Sequence, residues 1–462
     1  MIEERDCYNK MGRNFKEYIQ KLTPAQIITS YYIIAVSISV LLLRLPGVHN
    51  KGVSISFLDS VFTAVSAVSV TGLTVVNISE TYSTFGIFIL MFVLQFGGIG
   101  VMTLGTFFWM LLRKKIGLRE RQLIMLDHNQ SNLSGVVNLI REIIKIILII
   151  EILGAIILSL QFHQYYDSWK ESFLYGLFAS VSATTNGGLD LTGSSLTPFK
   201  DDYYVQLVHI ILITLGAIGF PVLIEVKNYL FPKGDHHHLF RFSLFTKLTS
   251  LTFGFLLLFG TIIIILLELN HYYIGMNWHQ IFFNAFFHST STRSGGLSTM
   301  DLNDFSTGTL LIFCVLMFIG ASPSSVGGGI RTTTFALNLL FIYYYANGNK
   351  HIKIFKREIH EDDITKSLVV TILAGAICIV SVIALSVSEH ASLIKILFEV
   401  CSAFGTTGLS LGLTPELSTF GKFVIMILMF IGRIGLTSFI YIIGGKEKKD
   451  NFHYPKERII IG

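Results

Sequence analysis

The chain has 462 residues, of which 52% are hydrophobic and only 14% charged, against about 25% charged in soluble domains. That balance excludes a soluble globular enzyme, and the net charge of +5 is explained by topology without any nucleic acid partner. The four cysteines are uninformative: Cys7 lies in a polar start, and Cys314, Cys378 and Cys401 read as small buried hydrophobes rather than disulfides or metal ligands.

Residues 1–24 are polar, lack the apolar core of a secretory signal, and read as a cytoplasmic N-terminus. A bilayer core takes about 20 apolar residues to cross. Suitable stretches follow at Ile27–Leu43, Phe85–Leu112, Ile143–Leu160, Leu207–Ile224, Leu251–Leu267, Val369–Leu385 and Phe423–Ile443, with a shorter one at Leu310–Ala321. Lys and Arg collect in alternate gaps: Arg5–Lys21, Arg113–Lys145, Lys227–Lys247, Lys350–Lys366 and Lys446–Arg458 hold 26 of the 35. The other gaps carry Glu80, Asp190, Asp201, Asp202, Asp301, Asp304 and Glu416. The positive-inside rule then places both termini and the long basic loops in the cytoplasm of a multi-pass cell-membrane protein.

Within this pattern a motif recurs four times. A Phe is followed ten residues later by a Gly-Leu pair: Phe62/Gly72, Phe178/Gly188, Phe286/Gly296 and Phe398/Gly408. Six places before each Gly stands a small hydroxyl residue, Ser66, Ser182, Thr290 or Ser402. An internal repeat at this spacing is the first fact any fold must satisfy. The apolar segments before the glycines (Leu58–Val68, Phe173–Ala183, Ile281–Ser291, Ile394–Phe404) are too short to span and read as half-helices followed by loops returning outward. Backbone of that kind at membrane depth must be buried in protein or line water.

The expected fold is therefore an all-α integral membrane protein. It has four tandem M1–pore-loop–M2 repeats in a pseudo-fourfold arrangement around one central pore, with eight spanning helices. Repeat 1 covers 25–112, repeat 2 137–230, repeat 3 243–345 and repeat 4 365–445; cytoplasmic loops cover 113–136, 231–242 and 346–364, and a cytoplasmic C-terminus 446–462.

The loop tips carry no ring of carboxylates. Carbonyls and hydroxyls of Val70, Thr71, Gly72, Asn186, Gly187, Gly188, Ser294, Gly295, Gly296, Thr406, Thr407 and Gly408 are the expected ion ligands. Glycine suits them because it accepts positive φ and close backbone approach. The half-helices direct their negative C-terminal ends at the same place, favouring a cation. Neutral oxygens suit K+ or another monovalent ion better than Mg2+, which dehydrates reluctantly. The unlike tips predict passage of Rb+ and some Na+ beside K+.

In the third repeat the second helix runs through Pro323 into Gly327-Gly328-Gly329, whereas its counterparts read Gly97–Gly100, Gly216–Gly219 and Gly432–Gly435. Residues 321–334 are read as a flexible intramembrane gate loop, with Ser325, Gly327, Gly328, Gly329, Arg331 and Thr332 as its working residues, or else as a simple kink. A phosphate loop is excluded, since no Lys-Ser or Lys-Thr follows the glycines. Arg433, deep in the last apolar stretch, either faces the cavity as part of the gate or forms a structural pair with a buried carbonyl or carboxylate. Arg293 is expected to brace its loop from behind. The run His236–His238 and the belt Tyr343–Tyr345 read as solvated surface and as membrane interface. No HExxH, paired intramembrane Asp or organic-cofactor motif appears, which speaks against an enzyme.

Val70-Thr71-Gly72-Leu73 with its three companion loops, and above all the run from Gly320 through Pro323 and Gly327–Gly329 to Arg331 and Thr334, resembles the Trk/Ktr/HKT superfamily of potassium transporters. The likeness covers roughly 22–443 and is greatest to the bacterial Ktr branch and its KtrB type of membrane subunit, there being no room before the first repeat for an extra helix pair. The resemblance implies K+ uptake, often stimulated by Na+, with Gly72 favouring K+ where Ser would favour Na+. It also implies a homodimer with one pore per subunit and a cytoplasmic nucleotide-binding ring of the KtrA type as regulator.

Overall fold

The computed structural model describes residues 24–100, 136–232, 241–349 and 351–436, with 103, 439, 440 and 457 besides. Nearly all of the two termini expected in the cytoplasm, nearly all of the loop 113–136 and the histidine run at 236–238 lie outside the described residues. Elements come in four sets. The first is α1 (Pro24–Leu43), α2 (Phe57–Ser69) and α3 (Thr84–Ile99); the second is α4 (Val136–Phe162), α5 (Trp169–Thr184), α6 (Tyr203–Ala217) and α7 (Phe220–Leu230). The third is α8 (Leu244–Glu268), α9 (Trp278–Ser291), α10 (Thr307–Ile319) and α11 (Thr332–Ala346); the fourth is α12 (Glu361–Ser388), α13 (Leu393–Phe404) and α14 (Thr419–Ile434).

The leading helix of each set, α1, α4, α8 and α12, has 20 to 28 residues, enough to cross a bilayer. In α12 the buried stripe is narrow and mostly small: Val370, Ala374, Cys378, Ser381 and Leu385. Ile372, Ile379, Ile383 and Val387 project outward. Lipid tails are as apolar as these side chains, so close packing along a small-residue seam holds such a helix.

The half-helices α2, α5, α9 and α13 have 13, 16, 14 and 12 residues. At 1.5 Å per residue that is about 18–24 Å, short of a core of about 30 Å. Ser56, Ser168, Asn277 and Ser392 stand at their N-caps, and their last turns are buried.

The second helices start alike. Ser83, Asp202, Ser306 and Ser418 cap α3, α6, α10 and α14 through their side chains. Each start is also tied to the end of the leading helix of its own set or to the turn that follows it. Ser83 donates to the Gly47 carbonyl at 2.6 Å, and Asp202 accepts from Gln161 at 2.8 Å. Glu268 accepts from the Ser306 amide at 2.9 Å, and Glu389 from the Ser418 amide at 3.0 Å. An ion pair of 2.7 Å between Lys422 on α14 and Asp59 on α2 joins the fourth set to the first.

These helices depart from the expectation of eight continuous spans. All four stop after 13 to 16 residues, at or one residue before Gly100, Gly219, Gly320 and Gly435. There φ is +95°, +104°, +70° and +87°, a region closed to most side chains. The break therefore belongs to every repeat. In the second set the chain turns by 106° straight into α7. The third instead has the stretch 321–331 inserted before α11 begins at Thr332, which the second set lacks.

The all-α expectation needs one amendment. Within 346–364 the chain forms a hairpin of β1 (Lys353–Ile354) and β2 (Arg357–Glu358). Its two-residue turn, Phe355-Lys356, has positive φ at both positions.

Candidate functional site

The four loops meet in a closed circuit. A methyl group placed on Gly72 would lie 2.6 Å from the Gly187 carbonyl oxygen, and one on Gly188 would lie 3.4 Å from that of Gly295. On Gly296 it would lie 2.3 Å from the Thr407 oxygen, and on Gly408 2.3 Å from the Thr71 oxygen, closing the ring. Each glycine thus leaves room for the carbonyl just before the next glycine, always in the same sense. Only a residue without Cβ permits this approach, which is the physical content of the repeat.

The turn into each glycine is also shared. In the first, second and fourth loops the half-helix ends in a Schellman arrangement: the amides of Thr71, Gly187 and Thr407 reach back to the Ser66, Ser182 and Ser402 carbonyls. Those of Val70, Asn186 and Thr406 reach Ala67, Ala183 and Ala403. The left-handed position, normally glycine, is filled by Val70, Asn186 and Thr406 with φ of +56°, +54° and +46°. For a β-branched residue such as Val70 this is strained backbone, held by its burial. The serines anticipated from the sequence fasten the far limb: Ser66 and Ser402 accept from the Gly72 and Gly408 amides at 3.1 Å, and Ser182 from the Leu189 amide at 3.0 Å.

The third loop is one residue out of register. Thr290 bonds back to Phe286 within its own helix, at 2.8 Å, and Ser291 instead ties the far limb through the Leu297 carbonyl. Phe287 is fully buried like Phe62, Phe178 and Phe398, whereas Phe286 is only partly covered. The structural equivalent of the repeat aromatic is therefore Phe287, and the third turn is a residue shorter. Its left-handed position is Ser294, φ +69°.

That shorter turn reaches the inserted stretch. The Ser294 hydroxyl donates to the Gly405 carbonyl at 2.9 Å and accepts from the Gly328 amide at 3.4 Å. Arg293, with no exposed surface, donates to the Gly320 carbonyl at 3.3 Å. It therefore braces the broken end of α10 rather than the back of its own loop.

The stretch 321–331 is buried and pinned. Its Ser322 and Val326 amides donate to the Ala217 and Gly216 carbonyls at the end of α6, at 3.0 and 3.3 Å. Arg331, at φ +82°, donates to the Gly327 carbonyl, and Thr332 to the Ser322 hydroxyl at 3.0 Å. Ser325 donates to the Ser322 carbonyl at 2.6 Å, and Gly329 sits against Gly320. Arg433, in the last turn of α14, donates to the carbonyls of Val326 and Gly97. The carbonyl-partner alternative foreseen for it and its contact with the inserted stretch are thus one arrangement.

Besides Glu268 and Glu389, two more buried carboxylates went unread in the sequence, although both stand inside apolar runs where an ionisable residue is itself the signal. Glu151 lies in the middle of α4, beside Gln95 of α3. Glu399 lies in α13 and accepts hydroxyls from Ser410 and Thr414.

Comparison with known proteins adds a family to this geometry. Residues 13–452 match the family described as TrkH, cation transport protein. The chain is 58% identical to Ktr system potassium uptake protein D of Bacillus subtilis, over 98% of this chain and 100% of that protein. It is 35% identical to Ktr system potassium uptake protein B of the same organism, over 96% and 97% respectively. The expected Ktr branch is upheld, with the D protein more similar than the B. The crystal structure of the potassium transporter TrkH from Vibrio parahaemolyticus has the same fold, with a TM-score of 0.69 at 18% identity over 89% of this chain and 84% of that one. A multi-pass, helical membrane protein of transporter type, and not an enzyme, the chain belongs to the TrkH family of cation transport proteins.

Proposed function

We propose that this chain is the ion-translocating subunit of a Ktr-type potassium uptake system, and that K+ crosses the cell membrane through the ring of loops. The observation that carries the reading is the closed circuit of glycine-to-carbonyl approaches from Gly72 round to Thr71. Four half-helices with buried ends aimed at one ring supply main-chain oxygens and negative dipole ends, without any fixed carboxylate at the tips. Val70, Thr71, Gly72, Asn186, Gly187, Gly188, Ser294, Gly295, Gly296, Thr406, Thr407 and Gly408 are its selectivity filter. The names of the two Bacillus relatives support potassium as the ion.

Beneath the filter, residues 321–331 with Thr332 form the gate. In the present arrangement it is held shut by hydrogen bonds to the second and fourth sets, Arg433 acting as a latch on Val326. Opening then requires the loop to leave Gly216, Ala217 and Arg433 together. A cytoplasmic nucleotide-binding ring supplies that work, with the termini and basic loops facing it and two copies of the chain assembling side by side.

The test is potassium-limited growth, with K+ and Na+ uptake, of an uptake-deficient host expressing this chain with and without a cytoplasmic Ktr partner. Saturable K+ uptake, raised by the partner, is expected. Uptake of Na+ in preference to K+ would replace this reading with that of a Na+-permeable member of the same superfamily.

A further inference from the structure

Aligned by the buried aromatic of each half-helix, in the register found above, one position follows it in every repeat: Thr63, Ala179, His288 and Glu399. In the third and fourth repeats this side chain grips the outward limb of its own loop. His288 meets the Ser298 hydroxyl at 3.1 Å. Glu399 accepts from Ser410 at Oε2, 3.0 Å away, and from Thr414 at Oε1. In the first repeat Thr63 bonds within its own helix, at 2.9 Å to Asp59. In the second, Ala179 makes no such bond and lines a small cavity of about 20 Å³ together with Leu189, Asp190 and His209.

The contrast among repeats separates folding from function. A half-helix of this kind folds with threonine or alanine at the position, so the architecture does not require a carboxylate there. Yet Glu399 is fully buried at membrane depth, where a carboxylate is expensive and an apolar residue of like volume would commonly be neutral or better. Both its oxygens are engaged by residues lying two and six places beyond Gly408. That limb sets where the fourth loop stands, and with it the Thr407 carbonyl that abuts Gly296.

We propose that Glu399 is a specificity-determining positioning residue: through Ser410 and Thr414 it fixes the fourth loop, and so the ion discrimination of the ring. The inference rests on the reading of that ring as a potassium filter.

The experiment measures K+ and Na+ uptake and their mutual competition in the uptake-deficient host, for the wild type, Glu399→Ala, Glu399→Gln and Ser410→Ala. Glu399→Ala should lower the K+ to Na+ uptake ratio by about tenfold, the worth of one hydrogen bond to a charged group. Glu399→Gln, which keeps an acceptor for one hydroxyl and a donor for the other, should retain most of the ratio. Ser410→Ala, a change on the partly exposed limb itself, should lower the ratio in the same direction with the chain still folded. A ratio unchanged in Ser410→Ala, and in Glu399→Ala where that protein reaches the membrane, overturns the inference. So does an equal loss in Glu399→Gln and Glu399→Ala, which would make charge rather than positioning the cause. Absence of K+ uptake by the wild type with its partner would instead sink the filter reading.

Discussion

The circuit of glycines makes a quantitative claim that a pair of substitutions can isolate. Gly408 and Gly412 lie on the same limb of the fourth loop, with φ of +95° and +84°. Alanine at either position meets a left-handed backbone cost of about 1–2 kcal/mol. They differ in what the added methyl would touch. At Gly412 nothing lies within 4 Å, while at Gly408 the Thr71 oxygen lies at 2.3 Å and the Gly72 Cα at 3.1 Å, against ordinary contact beginning near 3.4 Å. Relief demands a shift of about 1 Å between the fourth and first loops, and overpacking of a tight site costs about 1–3 kcal/mol. Gly408→Ala should therefore lose about 2–5 kcal/mol of stability and Gly412→Ala only about 1–2 kcal/mol. Function should separate them further, because displacing a positioned group by about 1 Å costs on the order of 100-fold. Thermal unfolding in detergent and initial Rb+ uptake measure the two. If Gly408→Ala transported as Gly412→Ala does, the loops would not converge on one ion path and the reasoning would fail.

Further expectations concern the inserted stretch and the seam between the first and last sets. Arg433→Ala removes the donors on the Val326 and Gly97 carbonyls, each hydrogen bond to a charged group contributing about 1.5–3 kcal/mol, so uptake without the partner should rise about tenfold or more. Unchanged basal uptake in a folded variant would leave Arg433 a purely structural tie. Deleting Ser325–Gly329 should likewise raise basal flux, and the kink reading would survive if flux and partner response were both unaltered. Lys422 and Asp59 are 15% and 23% exposed, so Lys422→Met or Asp59→Asn alone should cost about 1–3 kcal/mol by melting, less than a fully buried pair. The double variant should recover part of that loss, and strict additivity would show that the pair contributes no coupling.

How far the sequence could be read depended on how much of each feature is local. The four half-helices were legible because their length and the Gly-Leu pairs after them are set by the bilayer and by close backbone approach. The register of the third loop was not, because Phe286 and Phe287 stand side by side and the wrong one keeps the ten-residue spacing. The breaks at Gly100, Gly219 and Gly435 were hidden for a different reason. A single glycine inside a helix costs only about 1 kcal/mol, so an apolar run reads straight through it until tertiary contacts impose a positive φ. The hairpin at 353–358 offers no cue either, since Phe355-Lys356 takes a turn that usually calls for Asn-Gly. For the same reason the strained Val70 was invisible: nothing in a valine announces a left-handed backbone.

The register slip and the inserted stretch occur in the same repeat, and the geometry links them. With one residue fewer in its turn, the third loop delivers Arg293 and Ser294 to the broken end of α10 and to Gly328. The Ser294 hydroxyl also holds the Gly405 carbonyl of the fourth loop, so one side chain bonds the ring of loops and the inserted stretch at once. In the other three loops the left-handed residue is Val70, Asn186 or Thr406. Of these, Thr406 also lies against Gly328. Movement of residues 321–331 therefore cannot leave the third and fourth loops undisturbed, and through Arg433, which joins Val326 to Gly97 where Gly97 packs on Val68 and Val70, it reaches the first as well. The gate proposed above would meet the third and fourth loops directly and the other two by way of α6 and Arg433, and it is in the directly met pair that His288 and Glu399 bond to the outward limbs.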